Sequence, residues 1–306
     1  MQDKRVSFDF EVEFSNGGGL QGQGFRLDID GDDIDDPALA AYIIKDLRLL
    51  MVGNIRILNK AIIAEPHKRG PSAEMRSEEP RESIVDLSHV IESGMVTYKG
   101  LPAPLICDHM SHLQSRDFYA AGTEFQIGRI EMVANTGTYI DTPYHRYSEG
   151  ADLSQTSLRH LANLRGVVVR VTGMTSRAID WSHFAASEVR DRAVLVNTGW
   201  DAHWRTDQYF EGHPFLTKAA AEYLRDEGAQ LVGIDSLNID DTADLTRPVH
   251  SILLGAGVPI VEHLTQLSSL PLEGFAFNAA PPKIRGMGTF PVRAHAILTR
   301  TTAWRP

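Results

Sequence analysis

Residues 6 to 15 (VSFDFEVEFS) alternate apolar and polar side chains, the period of a strand with one buried face. Gly17, Gly18 and Gly19 then free the backbone for a turn ahead of a second strand near Gly24–Ile29. The acidic stretch from Asp30 to Asp36 leads into Pro37 and an apolar-periodic run from Ala38 to Met51. That run reads as a helix with Asp36 as N-cap and Pro37 at its first position. A strand over Asn54 to Ala64 completes a small β-β-α-β module spanning residues 1–68. The polar, proline-interrupted segment that follows has no periodicity, and residues 69–82 read as a linker.

From Ser83 the pattern changes to short apolar runs interleaved with helical ones. Buried strands are expected over Ile84–Leu87, Gly166–Val171, Ala193–Asn197, Gln230–Ile234, Pro259–Val261, Gly274–Asn278 and Val292–Leu298. Helices are expected near Leu158–Leu164, Ala178–Ala186 and Lys218–Glu227, the last capped by Thr217 and ended by Gly228. The alternation predicts a mixed α/β domain over residues 83–306.

Composition narrows the function classes. The net charge is −10, and residues 1 to 40 carry −7 of it. An acidic chain with no basic cluster lacks the footprint of a nucleic-acid binder. No apolar run is long enough to span a bilayer, and the acidic, alternating N-terminus does not read as a signal peptide. The single cysteine, Cys107, supports neither an internal disulfide nor a cysteine-rich zinc site. A soluble cytoplasmic protein acting on a small molecule, without nucleic-acid or membrane partners, is the expectation. The loop from Asp28 to Asp33 fails the calcium-loop pattern, since Asp33 and Leu39 stand where glycine and glutamate are required. It reads as an acidic helix-capping loop.

Twelve histidines direct attention to the imidazoles, and to the segment Asn135-Thr-Gly-Thr-Tyr-Ile-Asp-Thr-Pro-Tyr-His145. Gly137 permits a close turn, Pro143 keeps Thr142 extended, and Asp141 and His145 stand four apart. A carboxylate and an imidazole on so constrained a segment suit a metal ligand and a general base, or simply a hydrogen-bonded pair.

This segment resembles the signature H-x-G-T-H-x-D-x-P-x-H of the cyclase family of metal-dependent hydrolases, the family of kynurenine formamidase and isatin hydrolase. Gly137, Thr138, Asp141, Pro143 and His145 match in register. Further similarity lies in Ile84-Val-Asp-Leu-Ser-His89, Tyr98-Lys-Gly100, Gly233-Ile-Asp-Ser-Leu-Asn-Ile-Asp240 and His250-Ser-Ile-Leu-Leu with Ile260-Val-Glu262. The resemblance implies a swivelling β/β/α domain, with residues 1–68 outside it. It implies Asp141, His250 and Glu262 as ligands of one divalent metal, manganese or zinc, and His145 as the acid/base. The two leading signature histidines are replaced by Asn135 and Tyr139, which weakens one of the family's two metal positions.

The implied activity is hydrolysis of a C–N amide or cyclic amide bond other than a peptide bond, in a small aromatic or heterocyclic substrate. Asn135, Tyr98 and Trp200 would contact that substrate, and Tyr139 would donate a hydrogen bond during catalysis. Two alternatives remain open at this point. One is a metal-free isomerase, dehydratase or cyclase using Tyr139, Asp141 and His145; the other is a non-catalytic ligand-binding member of the fold. A homo-oligomer is expected from the resemblance.

Overall fold

The computed structural model describes residues 4–29, 31–47, 49, 51–65 and 83–298. The chain divides into two compact units, Met1–Glu79 and Pro80–Pro306. The expected linker, residues 69–82, lies outside the described residues.

In the first unit, strands β1 (Lys4–Phe14), β2 (Gly19–Ile29) and β3 (Val52–Ala64) form an antiparallel sheet in the order β2-β1-β3. The alternation of β1 puts Val6, Phe8, Phe10 and Val12 on one buried face. Helix α1 (Asp36–Asp46) covers that face with Leu39 and Ile43. Two expectations are corrected here. The N-cap is Asp35, whose carboxylate accepts the Ala38 N–H, and the helix stops at Asp46 rather than running to Met51. Apolar residues continue, but Leu47 leaves the helical conformation and Met51 takes a positive φ of 58° to turn into β3.

The second unit holds β4 (Ser83–Asp86), β5 (Leu105–Met110), β6 (Ile127–Glu131), β7 (Tyr139–Asp141), β8 (Leu164–Arg170), β9 (Ala178–Ile179), β10 (Arg192–Asn197), β11 (Phe215–Leu216), β12 (Leu231–Ile234), β13 (Ile260–Glu262), β14 (Glu273–Asn278), β15 (Thr289–Pro291) and β16 (His295–Leu298). Its helices are α2 (His112–Ser115), α3 (Lys218–Asp226) and α4 (Pro248–Gly255). Nine strands make one mixed sheet in the order β15-β7-β13-β12-β10-β8-β14-β16-β4. The strands β8, β10, β12 and β13 run parallel, and antiparallel strands extend both sides.

The parallel strands read as continuous apolar runs because both of their faces are covered. Val167, Val169, Val194 and Val196 point into one core with Leu224 of α3 and Leu253 of α4. Val168, Ala193 and Leu195 point into the other, with Ile140, Phe275 and Phe277. Thr217 caps α3 by accepting the Ala220 N–H, and Gly228 takes the positive φ that ends it, as the sequence predicts. The other two expected helices of this unit are not formed. Leu158–His160 is a single 3₁₀ turn, and Asn163 at φ 55° redirects the chain into β8. The stretch 178–186 splits into β9, which pairs with β11, and a 3₁₀ turn at Trp181–His183. Apolar spacing over seven to nine residues does not fix a helix where neighbouring strands compete for the backbone. Among the described residues, no helix is long and apolar enough to cross a membrane.

Candidate active site

Sheet register assembles the site. Strand β7 lies between β13 and β15, with Tyr139 opposite Glu262 and Pro291, and Asp141 opposite Ile260 and Thr289. Alternation sends Ile140 into the core and leaves Tyr139 and Asp141 on the other face. Two cross-strand hydrogen bonds follow. The Tyr139 hydroxyl donates to Glu262 Oε2 at 2.6 Å, and the Thr289 hydroxyl donates to Asp141 Oδ1.

Past Asp141, Thr142 is extended, as a residue before proline should be, and Pro143–His145 forms a 3₁₀ turn. The turn curls His145 back until its Nδ1 lies 3.6 Å from Asp141 Oδ1 and 2.7 Å from the Thr289 hydroxyl oxygen. Gly288 makes room for it: a Cβ there would sit 2.3 Å from the His145 backbone nitrogen. The single Thr289 hydroxyl proton goes to Asp141, so the hydroxyl accepts from His145 Nδ1–H. In the neutral ring, that arrangement leaves Nε2 as the nitrogen free to accept a proton.

Helix α4 brings in His250. Asp240, on the loop after β12, accepts the Val249 and His250 backbone N–H groups at 2.7 and 3.0 Å and holds His250 Nδ1 at 2.6 Å. The opposite nitrogen, Nε2, then lies 3.6 Å from Asp141 Oδ2 and 3.7 Å from Glu262 Oε1. Burial lowers the basicity of His250, but the neighbouring carboxylates of Asp141, Asp240 and Glu262 outweigh it and hold its pKa up at about 10. Burial raises Glu262 to about 7, with the His250 charge pulling against it and Asp141 adding to it. Burial and the Glu262 charge push the Tyr139 hydroxyl well above its ordinary value, so it stays a phenol.

The residues fit a divalent cation. Asp141 Oδ2 is buried and has no hydrogen-bond partner among the described residues. Ligand atoms at bonds of about 2.1 Å around a tetrahedral ion stand roughly 3.4 Å apart, close to the 3.6 and 3.7 Å separations seen here. Asp141, His145 and His250 also offer one ligand atom each within 4.8 Å of one another.

A cavity of about 420 Å³ opens above these groups. Of the residues singled out in the sequence, Tyr98, Asn135, Tyr139, His145, His250 and Glu262 line it. Asp141 lies fully buried beside them. Trp200 is placed elsewhere: its indole N–H donates to the Tyr209 carbonyl and its ring meets His203. The Tyr139 hydroxyl, expected to serve the substrate, is given to Glu262 instead.

Three residues escaped the sequence reading. Arg247 and Asn238 line the cavity, and Thr289 links Asp141 to His145. Asn238 lies within the Gly233–Asp240 element but was assigned no role there, and Arg247 stands three residues before His250, a signal that could have marked it. Thr289 carries no such signal, because it reaches Asp141 only through strand register.

Known proteins share this architecture. Residues 85–241, just over half of the chain, match the family model described as "Putative cyclase". Kynurenine formamidase of Delftia acidovorans is 27% identical over 175 residues, covering 56% of this chain and 80% of that protein. A structure described as a predicted metal-dependent hydrolase from Bacillus stearothermophilus superposes with a TM-score of 0.57 at 28% identity, over 71% of this chain and 98% of that one. Isatin hydrolase A of Labrenzia aggregata shares the fold, with a TM-score of 0.61 at 21% identity over 71% of this chain and 94% of its own. Kynurenine formamidase and isatin hydrolase are hydrolases acting on non-peptide C–N bonds. The mixed nine-stranded sheet and the family match over residues 85–241 place this chain in the Cyclase family.

Proposed function

We propose that the chain hydrolyses a C–N amide or cyclic amide bond in a small aromatic or heterocyclic substrate, with one divalent metal, manganese or zinc, held by Asp141, His250 and Glu262. The convergence of His250 and Glu262, which line the cavity, with the buried Asp141 beside them and with His145 carries this reading. A metal held by these residues would supply carbonyl polarisation and a lowered pKa for water. The chain does the rest. His145 Nε2 takes a proton from water and returns it to the leaving nitrogen. Thr289 and Asp141 keep the His145 ring oriented and stabilise its charge as it forms. Asp240 orients His250, and Tyr139 and the Ile239 N–H fix the Glu262 carboxylate. Asn135 and Tyr98 stand on the cavity wall to hydrogen-bond the substrate.

A second reading rests on the charge state of His250. With its pKa held at about 10 by neighbouring carboxylates, the cluster is also stable as a protonated, metal-free acid–base site. Metal analysis of protein purified without chelator, paired with turnover of formanilides and lactams, separates the two. About one equivalent of metal and activity lost to EDTA are expected. Less than roughly a tenth of an equivalent after manganese or zinc addition, with turnover intact, overturns the metal-dependent reading.

A further inference from the structure

We infer that Arg247 is the specificity-determining residue of this cavity and that the substrate carries a carboxylate close to the bond that is cleaved. The inference rests on the hydrolytic reading of the site and extends it to a substrate class.

Arg247 faces the cavity with no ion-pair partner among the described residues. Among the described residues its guanidinium hydrogen-bonds only neutral oxygens, Asn238 Oδ1 at 3.5 Å, the Asp241 carbonyl at 3.3 Å and the Tyr98 hydroxyl, and the charge of Asp244 acts on it from beyond ion-pair distance. The contacts to Asn238 and Asp241 are long, so most of its five donors remain for a ligand. Nearby charges are otherwise spoken for. Asp241 pairs with Arg177 at 3.6 Å, and Lys99, the lysine of the cavity wall, pairs with Glu211 at 3.4 Å.

The backbone at this position gives no structural reason for arginine. Arg247 precedes α4 with φ 49° and ψ 62°, a left-handed conformation that favours glycine or asparagine. Its side chain does not cap the helix; Asp240 accepts the N–H groups of Val249 and His250 instead. A strained residue beside reacting groups is a mark of functional placement.

Position gives the cation its task. Asn238 accepts from Arg247 through Oδ1 and donates to Glu262 Oε2 at 3.3 Å through Nδ2. Arg247 therefore stands one amide group away from a proposed metal ligand. An anionic substrate entering here would meet the repulsion of Glu262 and Asp141. A guanidinium on that wall offsets it and offers paired N–H donors to a carboxylate. Leu101 and Tyr98 give the adjoining wall the apolar surface that a flat ring requires.

Binding tests this without turnover. Benzoate and benzamide are titrated against chelator-treated full-length protein by ligand-observed NMR, for the wild type, Arg247→Gln and Arg247→Lys. Loss of a charge-assisted pair is expected to weaken benzoate about tenfold in Arg247→Gln, less in Arg247→Lys, and to leave benzamide within about twofold. Melting temperature checks folding, since glutamine meets the same backbone strain as arginine. Three results overturn the proposal: equal weakening of both ligands, no change for benzoate, or benzoate binding to the wild type only after metal is restored. Should formanilides and lactams that carry a ring carboxylate resist hydrolysis while the benzoate discrimination persists, the hydrolytic reading falls and the anion site stands.

Discussion

His250 and His263 lie thirteen positions apart, flank the same strand β13, and live in opposite surroundings. His250 touches Asp141, Asp240 and Glu262, and its proton is held to about pH 10. His263 is fully buried among the rings of Tyr139, Trp204 and Tyr209, and burial drives its pKa down to about 3, helped by the charges of His89 and His213. Its Nδ1 is hydrogen-bonded to the Tyr209 hydroxyl at 2.7 Å, and its Nε2 has no partner among the described residues. Burial lowers both imidazoles. Neighbouring carboxylates reverse the outcome for one, while among the described residues none acts on the other. An imidazole's usefulness at this site is thus set by the acidic groups packed against it rather than by its depth.

The largest effect should fall on the proton carrier of the carboxylate-rich group. His145→Ala is expected to lower kcat/KM on an aryl formamide by about a hundred- to ten-thousandfold, the usual worth of a positioned acid/base. A loss below roughly tenfold would remove His145 from the proton path.

Metal affinity sharpens the comparison next. Metal binding must displace the proton that His250 holds to about pH 10, so affinity should rise about tenfold per pH unit between pH 6.5 and 9. Calorimetry in buffers of different ionisation heat would count the released proton. Asp240→Asn removes the charge behind His250 and should weaken manganese or zinc about ten- to a hundredfold. A flat pH profile together with an unaffected Asp240→Asn would mean that His250 is not a ligand.

The buried group should show itself in stability instead. The folded pKa of His263, about 3, lies below its ordinary value of 6.5. Its contribution is therefore fully present above pH 6.5 and is lost as pH falls toward 3. At pH 5 the loss amounts to about 2 kcal/mol. His250 has the opposite sign: its raised pKa gives stability that is complete below pH 6.5 and fades as pH rises through about 10. The two are separated by comparing urea denaturation of the wild type and His263→Asn at pH 7.5 and pH 5, asparagine being tolerant of the φ of 56° found there. Equal pH dependence in both proteins would show that His263 is not the buried neutral imidazole described.

Thr289→Val should give the smallest effect. Loss of the bridge between Asp141 and His145 is expected to reduce kcat about tenfold and to leave KM nearly unchanged, as for a group that positions another. A change confined to KM would place Thr289 in substrate binding instead.

Much of this was legible in the chain itself. The alternation of residues 6 to 15 gave β1, Thr217 and Gly228 gave the limits of α3, and the apolar runs gave the buried strands. The Gly137–His145 segment led to the family, and with it to Asp141, His145, His250 and Glu262. Short helices were misread where a strand pairing or a left-handed asparagine overruled local spacing, as at Ala178–Ala186 and Asn163.

Residue type and local spacing determined which side chains were available for chemistry, because turns, caps and periodicity act over a few positions. Tertiary structure alone decided their states. Thr289 reached Asp141 across 148 positions through strand register, and the Tyr139 hydroxyl was turned to Glu262 across 123. Among the described residues Arg247 was left without an ion-pair contact, while Arg177 and Lys99 were paired. Protonation and hydrogen-bond commitment depend on charges and dipoles within a few ångströms, and only folding brings distant positions that close.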